Sequence, residues 1–304
     1  MTLIGNGRLV THDNANPYIE NGAVAVEGEV IMEVGTTSAL RAKYPDAEFV
    51  DAKDRVIMPG LINTHTHIYS SFARGMSLEQ PQPNRSFLEI LENMWWRMDK
   101  ALTLEDKKYS AYATGIESLK YGVTTMYDHL ACPYHITGSL RSIADATQDI
   151  GLRSVLCYEV SDRDGKEIAM EGIRENISFI DEAALDKSDT IHGMFGLHAP
   201  FTLSPETLEK SVDAMGSRDA GYHIHVAEGM DDVLDSLKNY KKRCVDRLFD
   251  AGILGKKTIA AHCVHIDDRE MDLLCETETA VVHNAESNMG NAVGCSPVLD
   301  MYQS

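Results

Sequence analysis

The stretch that decides the fold is VIMPGLINTHTH, residues 56–67, where a run of apolar residues ends in two histidines. An apolar run of this kind is typical of a strand that is buried on both faces in a parallel sheet. Side chains alternate between the faces of a strand, so His65 and His67 should project to the same side at its end. Two imidazoles so placed can bind one metal ion, although the same spacing also occurs in pairs of ordinary core or surface histidines.

Downstream of this stretch, apolar runs alternate with segments that have helical patterns. Three such segments are TLEDKKYSAYATGIESLKYG, SPETLEKSVDAMGSRDAG and DDVLDSLKNYKKRCVDRLFDAG. Thr103 with Asp106 predicts a capping box at the start of the first segment, and Gly122, Gly221 and Gly252 are the predicted helix stops. Alternation of strands and helices predicts a parallel α/β sheet or barrel.

The first 56 residues have a different pattern. The pieces GRLVT, GAVAVEGEVIMEVG and AEFVDAKDRVIMPG are short, rich in β-forming residues and punctuated by glycine, asparagine and aspartate. This pattern is typical of hairpins in a small antiparallel sheet. We therefore expect two domains, a small β domain over residues 1–56 and an α/β domain over residues 57–304.

Polar residues stand at the downstream end of every predicted strand of the second domain. Barrel enzymes carry their catalytic residues at the carboxyl ends of strands. Burial of polar side chains at seven strand ends would be costly unless these side chains met at one shared site. The pattern predicts a shared, metal-containing cleft. Its candidate residues, strand by strand, are His65 and His67; Asp128 and His129; Glu159; His198; His225 and Glu228; His262 and His265; and His283, Asn284, Ser287 and Asn288.

Composition limits the partners that this protein can have. Lys and Arg number 28 against 47 Asp and Glu, giving a formal charge of −19, and no basic block is present in the sequence. This argues against nucleic acid or an anionic membrane as a partner and favours a small-molecule substrate. The six scattered cysteines form no C-x-x-C pair, and the first residues do not resemble a signal peptide, so we expect a cytoplasmic protein.

Five motifs, PGLINTHTH, GVTT, HIHVAE, AAHCVHI and HNAESN, occur in this order. Together they resemble the metal-dependent amidohydrolase superfamily and its aminohydrolase branch, which contains guanine, adenosylhomocysteine and cytosine deaminases and the triazine hydrolases. Three further stretches, WWRMDKALT, YEVSDRDG and HNAESNMGNAVGCSPVL, are similar to the SsnA subgroup of that branch.

The resemblance implies a (β/α)8 TIM-type barrel flanked by a small β-sandwich, with one divalent metal ion, zinc or alternatively iron. Family members carry an aspartate after the eighth strand, and no such element precedes Ser304. We therefore expect a fragment that lacks the eighth strand, its aspartate and the C-terminal sandwich strands. Relatives are often dimers, so a homodimer is also expected.

The resemblance also assigns roles to individual residues. Glu228 corresponds to the carboxylate that moves a proton between the attacking water and the leaving amine, and His262 to the histidine that polarises the water or the substrate. His198 corresponds to a histidine that contacts the substrate ring. The metal ligands of the family correspond to His65, His67 and His225.

Some assignments leave alternatives open. His223 shares the His-x-His spacing with His225 and could be the ligand instead, although the H-x-x-E register favours His225 and makes His223 a packing residue. Asp99 falls near a glutamate that binds ribose in nucleoside-type relatives, and Arg163 could meet an anionic or carbonyl group of the substrate. Asn284, Ser287 and Asn288 are expected to shape their loop through bonds to the backbone rather than to take part in chemistry.

The expected reaction is hydrolysis of a C–N bond of a nitrogen heterocycle, either a purine-like base, a nucleoside or a related ring. Deamination needs a hydroxide at neutral pH, which a metal held by neutral imidazoles can supply, and a group such as Glu228 that protonates the departing nitrogen. The same site could instead cleave a ring amide or a C–Cl bond. A third hypothesis is a catalytically incomplete fragment.

Overall fold

The computed structural model describes residues 1–76 and 84–303. Contacts within the chain divide it into two units, Met1–Leu61 and Ile62–Ser304. Substrate specificity is expected to come in part from the loops between His67 and Asp99, and residues 77–83 of this region lie outside the described residues.

The first unit is one five-stranded sheet with a helix packed on it. The strand order is β3-β2-β1-β4, and β5 also pairs with β1. Helix α1 buries Leu40 against Leu3, Ala23 and Ala25. The bounds are β1 Thr2–Val10, β2 Tyr18–Glu27, β3 Val30–Thr36, α1 Thr37–Lys43, β4 Glu48–Asp51 and β5 Val56–Ile57.

The prediction of an antiparallel sheet is only partly right for this unit. Strands β1, β2 and β3 form antiparallel hairpins, but β4 and β5 both pair with β1 in parallel. A parallel pair needs a crossover connection, and α1 supplies part of that connection between β3 and β4. The second sheet of the expected sandwich stays a prediction.

The second unit contains all seven strands that the sequence predicts. The fourth predicted strand is divided at Met194 into two short strands, β9 and β10. Strand pairs β7 to β9 and β10 to β13 are parallel, and a parallel bridge between Val160 and Leu197 links the two groups. The bounds are β6 Leu61–Thr66, β7 Val123–Leu130, β8 Arg153–Tyr158, β9 Ile191–Gly193, β10 Phe195–Leu197, β11 Tyr222–Val226, β12 Ile259–His262 and β13 Ala280–Val282.

Helices connect these strands. They are α2 Phe87–Ile90, α3 Trp96–Ala101, α4 Leu104–Lys120, α5 Ser139–Asp149, α6 Lys166–Ala183, α7 Pro205–Met215, α8 Met230–Tyr240, α9 Cys244–Asp250, α10 Asp268–Glu276, α11 Ala285–Gly290 and α12 Val298–Gln303. A π-helical turn, Leu91–Trp95, joins α2 to α3, and short 3₁₀ turns span Ile68–Ala73 and Pro200–Thr202. This alternation agrees with a TIM-type arrangement.

The predictions of where helices begin and end were partly right. The capping box of Thr103 and Asp106 is present at the start of α4. Helix α7, however, ends before Gly216 and not at Gly221. A Cβ on Gly221 would lie 1.8 Å from the carbonyl oxygen of Lys257, so this glycine permits close approach of two strands. The segment with a helical pattern over 231–252 forms two helices, α8 and α9, because the chain turns at Lys241, which caps α8 in a left-handed conformation.

The core of the second unit lies between the strands and the helices. Residues of β11 and β12 are buried along their whole length, as expected for parallel strands covered on both faces. In residues 1–76 and 84–303, no helix is long and apolar enough to cross a membrane.

Candidate active site

A cleft of about 270 Å³ opens at the carboxyl ends of the strands. It lies where barrel enzymes place their chemistry. The cleft is lined by the eight residues that were assigned a catalytic, metal-binding or substrate-binding role, namely His65, His67, Asp99, Arg163, His198, His225, Glu228 and His262. Of the other candidates at strand ends, Asp128, His129, His265, His283 and Asn288 are not among the described lining residues.

The unprotonated ring nitrogens of His67 and His225 face each other. His67 Nδ1 donates to the carbonyl oxygen of His129 at 2.6 Å, and His225 Nδ1 donates to that of His198 at 2.8 Å. Burial lowers the pKa of His67 to about 4 and the pKa of His225 well below its ordinary value, so both rings are neutral. Each Nε2 therefore carries a lone pair, and the two Nε2 atoms are only 3.1 Å apart.

Two lone pairs at this distance repel each other unless a cation lies between them. Metal-binding histidines commonly donate their other ring N–H to a backbone carbonyl, as His67 and His225 both do. The donor atoms therefore fit a divalent metal ion.

His65 lies beside His67 and His225, and its hydrogen-bond partner is a histidine side chain rather than a backbone carbonyl. Its Nδ1 lies 2.8 Å from His223 Nε2, and its ring centre is 5.0 Å from that of His67 and 4.9 Å from that of His225. Burial lowers the pKa of both His65 and His223 well below the ordinary value. His223 is therefore more than a packing residue, because it shares a hydrogen bond with His65, in which the tautomers of the two rings decide the donor.

Two groups of potential ligand atoms meet at His225. One contains His65, His225 and His262, and the other contains His67, His129, Glu159 and His225, with atoms within 4.8 Å of one another in each group. We call His65, His67, His223, His225 and His262 the imidazole cluster.

His129 is a poor candidate ligand despite its position. Its Nε2 faces the carbonyl oxygens of Leu197 and His223, each at 3.1 Å, and its Nδ1 faces Glu159 Oε2 at 3.1 Å. Both nitrogens therefore already have hydrogen-bond partners, and His129 is not among the described residues that line the cleft.

Glu228 and His262 form an acid–base pair at the edge of the cluster. His262 Nδ1 donates to Asn288 Oδ1 at 2.7 Å, which leaves Nε2 unprotonated, 3.4 Å from Glu228 Oε2. Burial lowers the pKa of His262 to about 4 and raises the pKa of Glu228 to about 8. Asn291 Nδ2 donates to the other Glu228 oxygen at 3.3 Å. Glu228 therefore holds a proton at neutral pH.

The contact with His262 corrects the expectation for Asn288. Its side chain orients a cleft histidine rather than bonding to the loop backbone.

The backbone is strained at these residues. Ala227, next to Glu228, has a φ of 47°, and His262 and Cys263 have φ values of 73° and 47°. Non-glycine residues rarely adopt this left-handed region, and such strain concentrates at functional sites. The strain sets the directions in which Glu228 and His262 leave the ends of β11 and β12.

At the other end of the cleft, Arg163 is surrounded by carboxylates. Its Nη2 donates to Asp99 Oδ2 at 2.6 Å, its Nη1 to Glu159 Oε1 at 2.8 Å and its Nε to Asp164 Oδ2 at 3.2 Å. We call these four residues the arginine network. Burial would raise the pKa of Glu159, but nearby His198, the charge of Arg163 and the hydrogen bond with His129 together lower it far below its ordinary value.

Burial also raises the pKa of Asp99, to about 7, against the opposing charge of Arg163. Each nitrogen of Arg163 has a carboxylate partner, and contact of its remaining N–H groups with an anionic or carbonyl group of the substrate stays a prediction.

His198 lies between the two regions. Its Nδ1 is 2.7 Å from Thr202 Oγ1, and its Nε2 is 3.8 Å from Glu159 Oε1. Burial lowers the pKa of His198 to about 3, so the ring is neutral. A neutral ring that lines the cleft can make a hydrogen bond to a heterocycle without carrying charge.

Sequence reasoning missed the contacts that four residues make with the predicted ones, namely His129, Glu159, His223 and Asn288. Their common signal was position at a strand end or, for His223, a side chain on the same face as a predicted ligand. Periodicity shows which end of the sheet such a residue occupies, but not which neighbour it contacts.

Comparison with known proteins gives matches over nearly the whole chain. A profile described as "Amidohydrolase family" matches residues 56–304, and one described as "Imidazolonepropionase-like composite domain, bacteria" matches residues 22–47. A 5-methylthioadenosine/S-adenosylhomocysteine deaminase of Syntrophomonas wolfei is 34% identical over 99% of this chain and 67% of its own length. A 5'-deoxyadenosine deaminase of Methanosarcina barkeri is 30% identical over 99% of this chain and 66% of its own. The chain thus spans about two thirds of the length of these relatives.

Solved structures share the fold. An adenosine deaminase from Xanthomonas campestris with bound zinc superposes with a TM-score of 0.82 at 24% identity, over 99% of this chain and 66% of that one. An atrazine chlorohydrolase from Arthrobacter aurescens complexed with zinc gives 0.83 at 21% identity, over 100% and 70%. At these identities the likeness concerns the fold alone.

Proposed function

The chain belongs to the amidohydrolase family, and from this we propose that it carries the metal-binding part of an aminohydrolase that removes the amino group of a nitrogen heterocycle. The substrate class is adenosine-type nucleosides, as in the names of the curated relatives. The observation that carries the proposal is the pair of Nε2 atoms of His67 and His225, 3.1 Å apart, in a cleft that the buried carboxyl group of Glu228 also lines.

The proposed metal ligands are His65, His67 and His225. The carbonyl oxygens of His129 and His198 fix the rings of His67 and His225 so that Nε2 faces inward, and His223 does the same for His65. The proposed ion is zinc, which is bound in the two structural neighbours named above. When bound, zinc supplies a hydroxide at neutral pH by lowering the pKa of a water molecule.

Glu228 is the proposed proton carrier. Its carboxyl group holds a proton at neutral pH and lies 3.4 Å from the unprotonated Nε2 of His262. The carboxyl group can deliver this proton to the departing nitrogen, which cannot leave as an amide ion, and can regain one from the attacking water. His262, held by Asn288, and His198 are placed to make hydrogen bonds to the reacting ring.

Asp99 is the proposed partner of a sugar hydroxyl. Its Oδ1 is buried and has no hydrogen-bond partner among the described residues, while Oδ2 is held by Arg163. A buried acceptor without a donor is costly, and a substrate hydroxyl would satisfy it.

The remaining features of the proposal concern the whole protein. We propose a cytoplasmic enzyme, a homodimer that binds no nucleic acid, with a small β domain over residues 1–56 and a TIM-type barrel over 57–304.

The test is ammonia release by the zinc-loaded protein from adenosine, 5′-deoxyadenosine, guanine and a chlorinated triazine. Ammonia from an adenosine analogue, lost in Glu228→Gln at unchanged zinc content, is the expected result. Release of chloride without ammonia, or no turnover of any substrate by a zinc-loaded protein, would overturn the proposal.

A further inference from the structure

We propose that helix α11 holds the acid–base pair of the cleft in place, and that Asn291 is a positioning residue that reserves one oxygen of Glu228 and leaves Oε2 as the single oxygen that exchanges protons. The inference rests on the proposed function for the reaction itself. It gives a role to Asn291, to which the sequence pattern assigned none.

The first observation concerns the two oxygens of the Glu228 carboxyl group. Among the described residues, a polar side chain contacts each of them, since Asn291 Nδ2 lies 3.3 Å from Oε1 and His262 Nε2 lies 3.4 Å from Oε2. The same Nδ2 atom lies 3.4 Å from Ser287 Oγ. An amide N–H can only donate, so Oε1 has to offer it a lone pair and carries no proton. The proton of the neutral carboxyl group therefore lies on Oε2.

The second observation is the direction of the neighbouring hydrogen bond. His262 Nδ1 donates to Asn288 Oδ1 at 2.7 Å, so Nε2 is the ring nitrogen that keeps a lone pair. This lone pair faces Oε2 of Glu228, the oxygen that Asn291 leaves free. The contacts form a continuous chain in which every donor meets an acceptor. The two ends of the chain are Asn288, within α11, and Asn291, at the C-terminal cap of the same helix.

The third observation is the helix geometry that links these two ends. Asn288 and Asn291 are three residues apart, so their side chains lie on the same face of the helical turn. Their partners lie at the ends of different strands, and the separations along the chain are 26 residues to His262 and 63 residues to Glu228. One short helix therefore fixes two groups that come from separate parts of the chain.

The fourth observation is that the backbone around Asn291 is itself held. Its N–H donates to the carbonyl oxygen of Ser287 at 2.9 Å. Ser296, which follows in the same loop and is buried, donates from Oγ to the carbonyl oxygen of Cys263 at 3.3 Å. Cys263 directly follows His262 and has a φ of 47°. The segment that carries Asn291 is therefore tied to the strained end of β12.

A fixed oxygen matters because Glu228 has to accept a proton and then deliver it. Oε2 takes a proton from the attacking water as the new C–O bond forms, and passes it to the amino nitrogen as the C–N bond breaks. The electron pair of that bond leaves with the nitrogen, and the product is ammonia. A carboxyl group that could rotate would spend part of its time with the proton directed away from this nitrogen. Asn291 removes that alternative.

The first test is a pair of crystal structures of the metal-free protein, wild type and Asn291→Leu, at the same pH. Leucine has nearly the shape of asparagine but no hydrogen-bond donor. We expect Asn291 to contact Oε1 in the wild type, and we expect the carboxyl group of Glu228 to rotate or to occupy two orientations in the variant. The same single orientation in both structures would overturn the inference.

The second test is the kinetics of ammonia release from 5′-deoxyadenosine by the zinc-loaded proteins. Asn291→Leu, and Asn291→Asp, which keeps the size but replaces the donor by an acceptor, should lower kcat by about 10–100-fold, because small displacements of a catalytic group are costly. KM and zinc content should stay close to the wild-type values. Asn239→Leu is the matched control, because the Asn239 amide also donates to a carboxylate, that of Asp235, on the exposed surface of α8.

The split between kcat and KM decides how Asn291 acts. Asn291 lines the cleft, so a merely substrate-binding role would raise KM and leave kcat unchanged. That result, or wild-type values of both constants in the two Asn291 variants, would overturn the inference even if the carboxyl group rotates.

The two tests separate this inference from the proposed function. If the zinc-loaded wild-type protein releases no ammonia from any nucleoside, the proposed function fails, and the two crystal structures alone decide whether Asn291 orients Glu228. If ammonia is released but the Asn291 variants keep the wild-type kcat, the inference fails and the proposed function stands.

Discussion

The imidazole cluster and the arginine network occupy the same cleft but solve the burial of polar groups in opposite ways. In the cluster, burial keeps the histidines neutral, and the Nε2 atoms of His67 and His225 face each other without a proton between them. In the network, each nitrogen of Arg163 donates to a carboxylate. The imidazole cluster therefore needs a cation from outside the chain, whereas the arginine network contains its own cation, the guanidinium group of Arg163.

This difference predicts different consequences of mutation. Removal of a residue from the cluster should cost metal binding and activity, because the site is completed by a ligand. Removal of a residue from the network should cost stability, because a buried ion pair that loses one partner leaves an uncompensated charge.

The largest effect is expected for His65→Ala combined with His67→Ala. Both rings are proposed ligands, so the metal content should fall from about one equivalent per chain to near zero. Elemental analysis of the purified proteins measures this. His192→Ala, which changes a half-exposed histidine on β9, should keep its metal. Full metal content in the double variant would contradict the proposed site.

Glu228→Gln should lower kcat by about 10²–10⁴-fold, the usual contribution of a positioned proton-transfer group. Metal content should not change, since Glu228 is not a proposed ligand. Ammonia release and elemental analysis on the same preparation test both statements. Activity within a few-fold of wild type would remove Glu228 from the mechanism.

The same variant should change the pH dependence of stability. Burial raises the pKa of Glu228 to about 8, so the folded, metal-free protein binds a proton that the unfolded chain releases above its ordinary pKa of about 4.3. The stability contributed by this group is complete at low pH and is lost as pH rises from about 4.3 to about 8. Urea unfolding from pH 4 to pH 8 should show a smaller decline for Glu228→Gln than for wild type. An identical decline would contradict the raised pKa.

Arg163→Met should destabilise the fold by about 3–5 kcal/mol, because Asp99, Glu159 and Asp164 would lose their shared buried partner. Arg269→Met removes an exposed arginine paired with Asp246 and should cost no more than about 1 kcal/mol. Urea unfolding at pH 7 measures both. Equal losses in the two variants would show that the network is not a special source of stability.

His223→Phe should weaken metal affinity about 10–100-fold, the usual effect of removing a hydrogen-bond partner of a ligand. Phenylalanine keeps a ring of similar shape but cannot accept the Nδ1 proton of His65. His223→Gln offers an acceptor and should retain more of the affinity. Competition with a chelator gives the two dissociation constants, and similar values for both variants would indicate that His223 only fills space.

Much of this architecture could be predicted from the sequence. The apolar runs and their polar ends predicted strands that the structure contains, and the family prediction is confirmed. The VIMPGLINTHTH stretch, however, is not one buried strand: Val56 and Ile57 pair with β1, and Leu61 and Ile62 of β6 are largely exposed. Gly221 is not a helix stop but allows the segments that lead into β11 and β12 to approach each other, and the helical segment after Asp231 is divided at Lys241. The parallel pairing of β4 and β5 with β1 was also missed, because strand direction depends on distant partners.

The sequence by itself determined which side chains meet at the cleft, because strand periodicity and parallel order bring the carboxyl ends of the strands to one edge. Only the tertiary structure decided what each atom does there. The carbonyls of His129 and His198 choose the protonated nitrogen of His67 and His225, and Asp99 reaches Arg163 from 64 residues away. Such partners come from elements distant in the chain, so hydrogen-bond direction and charge pairing exist only once the fold has brought them together.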